Sequence, residues 1–349
     1  MWAQRRVLVR MAVVGGVLGA VALPFGAWAQ RTRILGSPAS DHASGSISAG
    51  HSSSDLQRFL ETVQVGEGQA QGLLRVFWLH GTPGAALPIA TLEEARASGA
   101  LVITERDQAS VPELIVENRG KTHVLLLAGE ILLGGKQNRV LSTDLLLPPQ
   151  SGPRNIAVYC VEQGRWAGSA KGFQAKGSFA APGLRSKVLE RAPQPSIWAE
   201  VDHYSRRMAA ASPTRSYQAI YEQGEVQRHL AEIERKIDSR SAPGALGAAV
   251  FVGERLVGID LFFDAGLFAR EWPKLLRAQA LEAYGLGEAA RVDERRMRTW
   301  VEEVLRAAAR TEGVRRENPG VGELFAFRVS GYGGMALLFE GRVVHAAVL

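Results

Sequence analysis

The chain has 349 residues, 46% of them hydrophobic, and 41 Lys and Arg against 35 Asp and Glu give a formal net charge of +6. That is enough apolar material for one large domain or two smaller ones. The single cysteine, Cys160, excludes an internal disulfide and any multi-cysteine zinc site, so stability must come from the core.

Arg5 and Arg6 precede an apolar run from Met11 to Phe25, closed by the A-x-A site Ala27-Trp28-Ala29. Residues 1–29 therefore read as a signal peptide and the protein as exported, periplasmic or secreted. The string Arg5-Arg6-Val7-Leu8-Val9-Arg10 suits the twin-arginine route as well as the Sec route. The leader's only charges are Arg5, Arg6 and Arg10, so its removal lowers +6 to +3. A balance of that size gives no reason to expect a nucleic-acid partner. No membrane span is expected once the leader is cleaved. Residues 30–55, rich in Ser and Gly, read as a flexible linker.

The folded body is expected from 56 onward: a β-rich half over 56–190, then an α+β half over 191–349 packed with it as one unit. A short helix over Leu56–Leu60 and a strand over Glu61–Val65 lead into a strand over Leu73–Leu79. Thr91–Ala97 reads as a helix capped by Thr91. Strands are expected at 101–104, 111–117 and 123–127, the last apolar on both faces and so central. Ile131–Leu133, Val140–Leu147 and Asn155–Glu162 continue the series. In the last of these, alternation puts Ile156, Val158, Cys160 and Glu162 on one face. A Gly-, Ala- and Ser-rich loop is expected to about Ser186.

Helices follow over Ile197–Met208 and Tyr217–Ile237, then a hairpin turning at Gly253-Glu254. Two more helices, near 267–284 and 291–310, precede a strand at 324–329 and a hairpin over 335–348. The order of elements makes the fold α+β, with mostly antiparallel strands first and helices with two hairpins after them.

Familiar catalytic motifs are absent. Gly129 and Gly134 have P-loop spacing, but Gly135 stands where the lysine belongs and the stretch lies between strands. There is no G-x-S-x-G, H-E-x-x-H or G-x-G-x-x-G in context. Cys160, with His123 or His345 as base, would make a nucleophile, but its apolar row suits a buried strand residue better.

The densest polar set is Glu130, Lys136, Gln137, Asn138, Arg139, Glu162, Gln163, Arg165 and Trp166, at strand ends. Lys136, Gln137, Asn138, Arg139, Arg165 and Trp166 have the chemistry to bind an anion, sugar or base, and Glu130 with Glu162 that of an acid/base pair. No metal site is indicated, and the sequence leaves the cofactor unknown. If both glutamates and Arg139 meet in one cleft, an enzyme is favoured. If they are spent on one another inside the sheet, they form a structural network and both small-molecule readings lose.

The strings VPELIVENRG, LLLAGEILLGGKQNRVLSTDLLLP and VYCVEQGRW resemble the ARG and Rhodanese-Phosphatase-superfamily-associated protein domain family, over about Leu56–Leu349. Its recognisable positions correspond to Gly129, Glu130, Gln137, Asn138, Arg139, Cys160, Glu162, Gly164, Arg165 and Trp166. The resemblance carries no catalytic assignment. The family's name implies association with ADP-ribosylglycohydrolase and phosphatase-type partners, hence nucleotide or ADP-ribose metabolism. The expectation is thus an exported small-molecule-binding or accessory module. A hydrolase of a nucleotide, ADP-ribose or sugar phosphate is the alternative, and a structural cell-envelope protein the third.

Overall fold

Helix α1 (Gly50–Thr62) is held by Leu56 and Leu60, which bury one turn apart on its inner face. It is longer than the Leu56–Leu60 helix expected, because packing of an apolar face outweighs the weak propensities of the residues before it. The computed structural model describes residues 50–106, 112–165, 172–287 and 292–349, with side chains from Ser54 onward. The leader, the linker to 49 and Trp166 lie outside the described residues. Those described belong to one compact unit, Ser48–Leu349.

Strands β1 (Gln64–Gln71) and β2 (Leu74–His80) make a hairpin turning at Gly72. The strand expected at Glu61–Val65 instead begins at Gln64. The polar sequence of β1 carries no alternation signal, so pairing with β2 decides its conformation. After β3 (Ile89–Ala90), helix α2 (Leu92–Ala97) starts with a capping box. Glu94 N donates to Thr91 Oγ1 at 3.2 Å and Thr91 N to Glu94 Oε2 at 2.9 Å.

Next come β4 (Leu101–Thr104), β5 (Glu113–Asn118), β6 (His123–Leu126) and β7 (Ile131–Gly134). They are followed by β8 (Arg139–Leu141), β9 (Leu145–Leu147), β10 (Gly152–Cys160) and β11 (Phe173–Gln174). The single strand expected over Val140–Leu147 is therefore two, because the Asp144 carboxylate turns inward to the main chain of Ala128. Gly134, at φ 138°, closes β7 where a Cβ would stand 2.4 Å from the Gly172 carbonyl oxygen.

Helix α3 (Pro182–Leu189) replaces the end of the expected loop, with Pro182 in its first turn. Then come α4 (Gln194–Arg207), α5 (Gln218–Glu222) and α6 (Gly224–Lys236). The one helix expected over Tyr217–Ile237 breaks at Gln223. That residue leaves helical geometry at ψ 124° and caps α6 by accepting from Val226 N.

The hairpin β12 (Gly247–Val252) and β13 (Arg255–Phe262) leads to α7 (Ala265–Ala280) and α8 (Glu294–Ala309). The chain ends in β14 (Val314–Arg316), β15 (Glu323–Val329), β16 (Tyr332–Phe339) and β17 (Arg342–Val348).

The fold is α+β. An eight-stranded antiparallel sheet runs β1-β2-β12-β13-β17-β16-β15-β14, so the first hairpin joins the strands of the chain's second half. A six-stranded sheet runs β11-β7-β8-β10-β5-β4, and a three-stranded one β3-β6-β9 with β6 central, as its apolar faces predict. Both faces of the large sheet are covered. Phe77 and Leu79 of β2 pack with residues of α1 and α8, while Val76 and Trp78 join the core that includes α3, α4, α6 and α7. The functional candidates lie on that second side.

Candidate functional site

The predicted residues separate into two networks. In the first, the turn after β7 meets the end of β10. Glu162 Oε2 accepts from Asn138 N at 3.0 Å and from Arg165 Nε and Nη2 at 3.0 and 2.7 Å. Its Oε1 accepts from Thr214 Oγ1 at 2.6 Å. Burial would raise the Glu162 carboxyl, but the donors Arg165, Thr214 and Asn138 N outweigh it and hold its pKa below the ordinary carboxylate value. Arg165 also donates to the carbonyls of Gly135 and Gly134, at 2.7 and 3.3 Å, and to Asn138 Oδ1 at 3.2 Å.

Asn138 spans the gap, its amide donating to Ser216 Oγ at 3.0 Å. Gln137 donates to the Gln163 carbonyl at 3.3 Å. Arg139 is 1% exposed and donates to the Gln137 carbonyl at 2.9 Å, with Glu105 4.0 Å from its Nη2. Glu105 also accepts from Lys136 N at 2.7 Å. Glu162 is thus spent on its neighbours, whereas the buried Nε of Arg139 keeps no hydrogen-bond partner. A carboxylate with four donors on it has little room to act as a base.

Glu130 belongs elsewhere, and it and Glu162 share no partner among the described residues. The turn from Leu127 to Glu130 between β6 and β7 is the centre of a buried charge network. Leu127 N donates to Glu130 Oε2 at 3.0 Å, and Glu130 Oε1 forms a close ion pair with Lys274 of α7. Lys274 Nζ also stands 2.9 Å from Glu93 and 2.7 Å from Glu271. The Glu271 contact is an ion pair without hydrogen-bond alignment, since both its oxygens lack a hydrogen-bond partner.

Beside this cluster a ring closes through the peptide groups of Ala128. Ala128 N donates to Asp144 Oδ1 at 2.8 Å, and Asp144 Oδ2 lies 2.6 Å from His345 Nδ1. His345 Nε2 lies 3.1 Å from Asp260 Oδ1, which accepts from Arg185 Nη1 at 2.7 Å. Arg185 Nε returns to the Ala128 carbonyl at 2.9 Å.

The electrostatics follow from burial and partners. With carboxylates on both ring nitrogens, His345 is satisfied only as imidazolium. Burial opposes that charge, but Asp144 and Asp260 prevail and lift its pKa to about 9. Burial opposes the Asp260 charge too, yet Arg185 and His345 hold its pKa below the usual value. Burial raises Glu130 to about 8 against the pull of Lys274, and it raises Glu271 as well. Burial alone would lower Lys274, but its three carboxylates keep its pKa well above the ordinary lysine value. One ammonium among three carboxylates in so dry a place means that a proton is held within the cluster near neutrality.

This network reaches solvent at a cleft of about 460 Å³ lined by residues of α2, α6 and α7. Lys274 and Glu93 line it from the cluster's side, with Arg270, Arg277, Glu234 and Lys176 around them. Arg270 Nε pairs with Glu94 at 3.2 Å and Arg277 with Glu234 at 3.7 Å. Lys176 is exposed.

Cys160 is fully buried and its thiol is pushed up by that burial, the opposite of an activated nucleophile. His345 is committed to two aspartates, and His123 lies against the Phe339 ring at 5.3 Å with its pKa lowered by burial. Among the described residues no group of three or more His, Cys, Asp or Glu could hold a metal ion, and no helix is long and apolar enough to cross a membrane.

Sequence reasoning found Glu130 but missed Lys274, Glu271, Asp144, Asp260 and Arg185, and it read His345 as a sheet residue. The available signal was a lone charge in an apolar run: Asp144 in LSTDLLL, Asp260 in LVGIDLFF and His345 in VVHAAV. Glu271 and Lys274 are one helical turn apart in α7, on a face otherwise filled by Phe268, Leu275 and Ala278.

The family model described as ARG and Rhodanese-Phosphatase-superfamily-associated Protein domain matches residues 62–349. Comparison with curated proteins and with solved structures gave no match.

Proposed function

The chain belongs to the ARG and Rhodanese-Phosphatase-superfamily-associated protein domain family, and from that premise we propose that it is an exported small-molecule-binding or accessory module whose ligand sits in the cleft over Lys274. The observation that carries this reading is a buried ion cluster that reaches solvent through Lys274 and Glu93 in a concave site. Concave sites with a few convergent polar groups and shifted pKa values are where small ligands bind. Glu93 would accept hydrogen bonds from the ligand, and Lys176 with Arg270 would meet an anionic group. Export rests on the leader read in residues 1–29. N-terminal mass spectrometry of protein recovered from an expressing cell should then find a mature chain starting at Gln30.

A thermal-shift screen of the purified protein tests the binding reading. The panel would hold nucleotides, ADP-ribose, sugar phosphates, cell-wall fragments and divalent metals. A ligand that binds the native state raises the melting temperature by mass action. The expected result is a shift that falls in Arg270→Ala and in Glu93→Gln. No shift with any compound, or one unchanged in both variants, overturns the reading.

The hydrolase reading has one observation in its favour, the proton that Glu130 retains to about pH 8. Against it, Glu130 is 1% exposed behind Lys274, and Glu162, the carboxylate expected to act with it, is taken up by four donors in the other network. Turnover of any compound that gives a shift, lost in Glu130→Gln, would favour the hydrolase.

A further inference from the structure

A second cavity, of about 470 Å³, lies between the turn of the β12–β13 hairpin and the first half of α8. Its floor is apolar, made by the buried side chains of Phe251 and Met297. Trp300 lines it and is 37% exposed, one of three large hydrophobic residues exposed among those described. A single exposed apolar side chain needs no explanation. What sets Trp300 apart is its company. Packing of α8 is accomplished by Met297, Val301, Val304, Leu305 and Ala308, so an indole at 300 is not required to hold the helix. Asp293, Arg296, Met297, Trp300 and Glu303 follow one another at spacings of three, one, three and three, which puts them on one face of α8.

The charged groups around the indole are available. Elsewhere on α8, Glu294 pairs with Arg75 at 3.6 Å and Glu302 with Arg306 at 3.7 Å. At the cavity, the side chains of Glu254, Arg296 and Glu303 make no ion pair or hydrogen bond with any described residue. Asp293 uses its Oδ1 to cap the helix, accepting from Arg296 N at 3.1 Å.

We propose that this cavity binds a neutral oligosaccharide, with one sugar ring stacked on Trp300 and its hydroxyls held by Glu254, Arg296 and Glu303. An indole offers a flat apolar surface with a polar N–H at its edge, which suits the C–H face and the hydroxyls of a pyranose. Carboxylates accept from hydroxyl groups, and the guanidinium donates to ring or hydroxyl oxygens in a fixed fork. The charge balance selects against other ligands. Three carboxylates face one guanidinium, so a phosphate or nucleotide would enter a field of its own sign. The volume lies in the range typical of small-molecule sites.

Calorimetric titration of the purified protein with chitotriose and cellotriose, and with AMP as the anionic control, tests the proposal. One of the two oligosaccharides should bind, and AMP, which the Lys274 cleft could itself take, should not displace it. Trp300→Ala should weaken binding about tenfold, the loss of one stacking contact, and Trp300→Phe should recover part of it. Glu303→Gln, at an exposed position, carries the test should the indole prove necessary for folding, and it should weaken binding about threefold. Arg270→Ala, in the other cleft, should leave the titration unchanged, so this site and the Lys274 cleft stand or fall separately. Failure of both oligosaccharides to bind, affinity unchanged in Trp300→Ala and Glu303→Gln, or displacement of the oligosaccharide by AMP overturns the proposal.

Discussion

Lys274→Met removes the one cation from a group of three carboxylates, two of them fully buried, and keeps most of the apolar stem. In the native protein burial raises both Glu130, to about 8, and Glu271, so the two carboxyls share a proton and the remaining charge balances Lys274. Without the ammonium, the second carboxyl of the pair must also be protonated in the folded state. In the unfolded chain a glutamate releases that proton near 4.5. At pH 7 the folded state therefore retains a proton across about 2.5 pH units, a cost of about 3.4 kcal/mol. At pH 5 the same step costs about 0.7 kcal/mol.

The folded variant binds more protons than the unfolded one, so its deficit grows as pH rises. Urea unfolding of both proteins at pH 5 and pH 7 measures it. The expected loss is about 3 kcal/mol larger at pH 7 than at pH 5, on top of a pH-independent part from lost packing. Equal losses at the two pH values would refute the reasoning, because the carboxylates would then not depend on Lys274 for their charge state.

The His345 pKa rises from 6.5 to about 9 on folding, so its charge contributes about 3.4 kcal/mol that is present below pH 6.5 and lost as pH rises through 9. Glu130 acts in the same direction through about pH 8. The melting temperature should therefore fall between pH 7 and 10, and His345→Gln should melt lower with a flatter profile; a native profile flat over that range would contradict the assignment. Glu162→Gln turns an amide N–H₂ toward donors and should cost about 1–3 kcal/mol in urea unfolding while leaving any ligand shift at the Lys274 cleft intact. Loss of the ligand shift at full stability would instead make Glu162 a binding residue. Cys160 should resist a thiol reagent in the native protein and react at once in denaturant.

Much of the fold is written locally. Thr91 with Glu94 announces the start of α2, and the alternation of Leu114 and Val116 with Glu113, Ile115 and Glu117 sets the faces of β5. Residues 123–127, apolar on both faces, identify the central β6. These are short-range signals, decided by dihedral preference and by which face must leave water. The strand β1, the break at Asp144 and the break at Gln223 had no such signal. The first depends on a partner strand, the second on an amide of Ala128 many residues away, and the third on a cap that competes with helix continuation.

The candidate site shows the same division more sharply. The sequence by itself determined that Lys136–Arg139 and Glu162–Arg165 sit at strand ends rich in hydrogen-bonding groups, and that Glu130 lies in a turn between apolar runs. Only the tertiary structure decided that Glu162 is held by Asn138, Arg165 and Thr214 while Glu130 looks the other way, toward Lys274. The reason is that a buried charge is set by its partners, and those partners come from distant elements: Asp144, Arg185, Asp260, Glu271, Lys274 and His345. A lone Asp or His within an apolar strand tells the reader that a partner must exist. Which one it is, and whether the group it joins opens to solvent, depends on how sheets and helices pack.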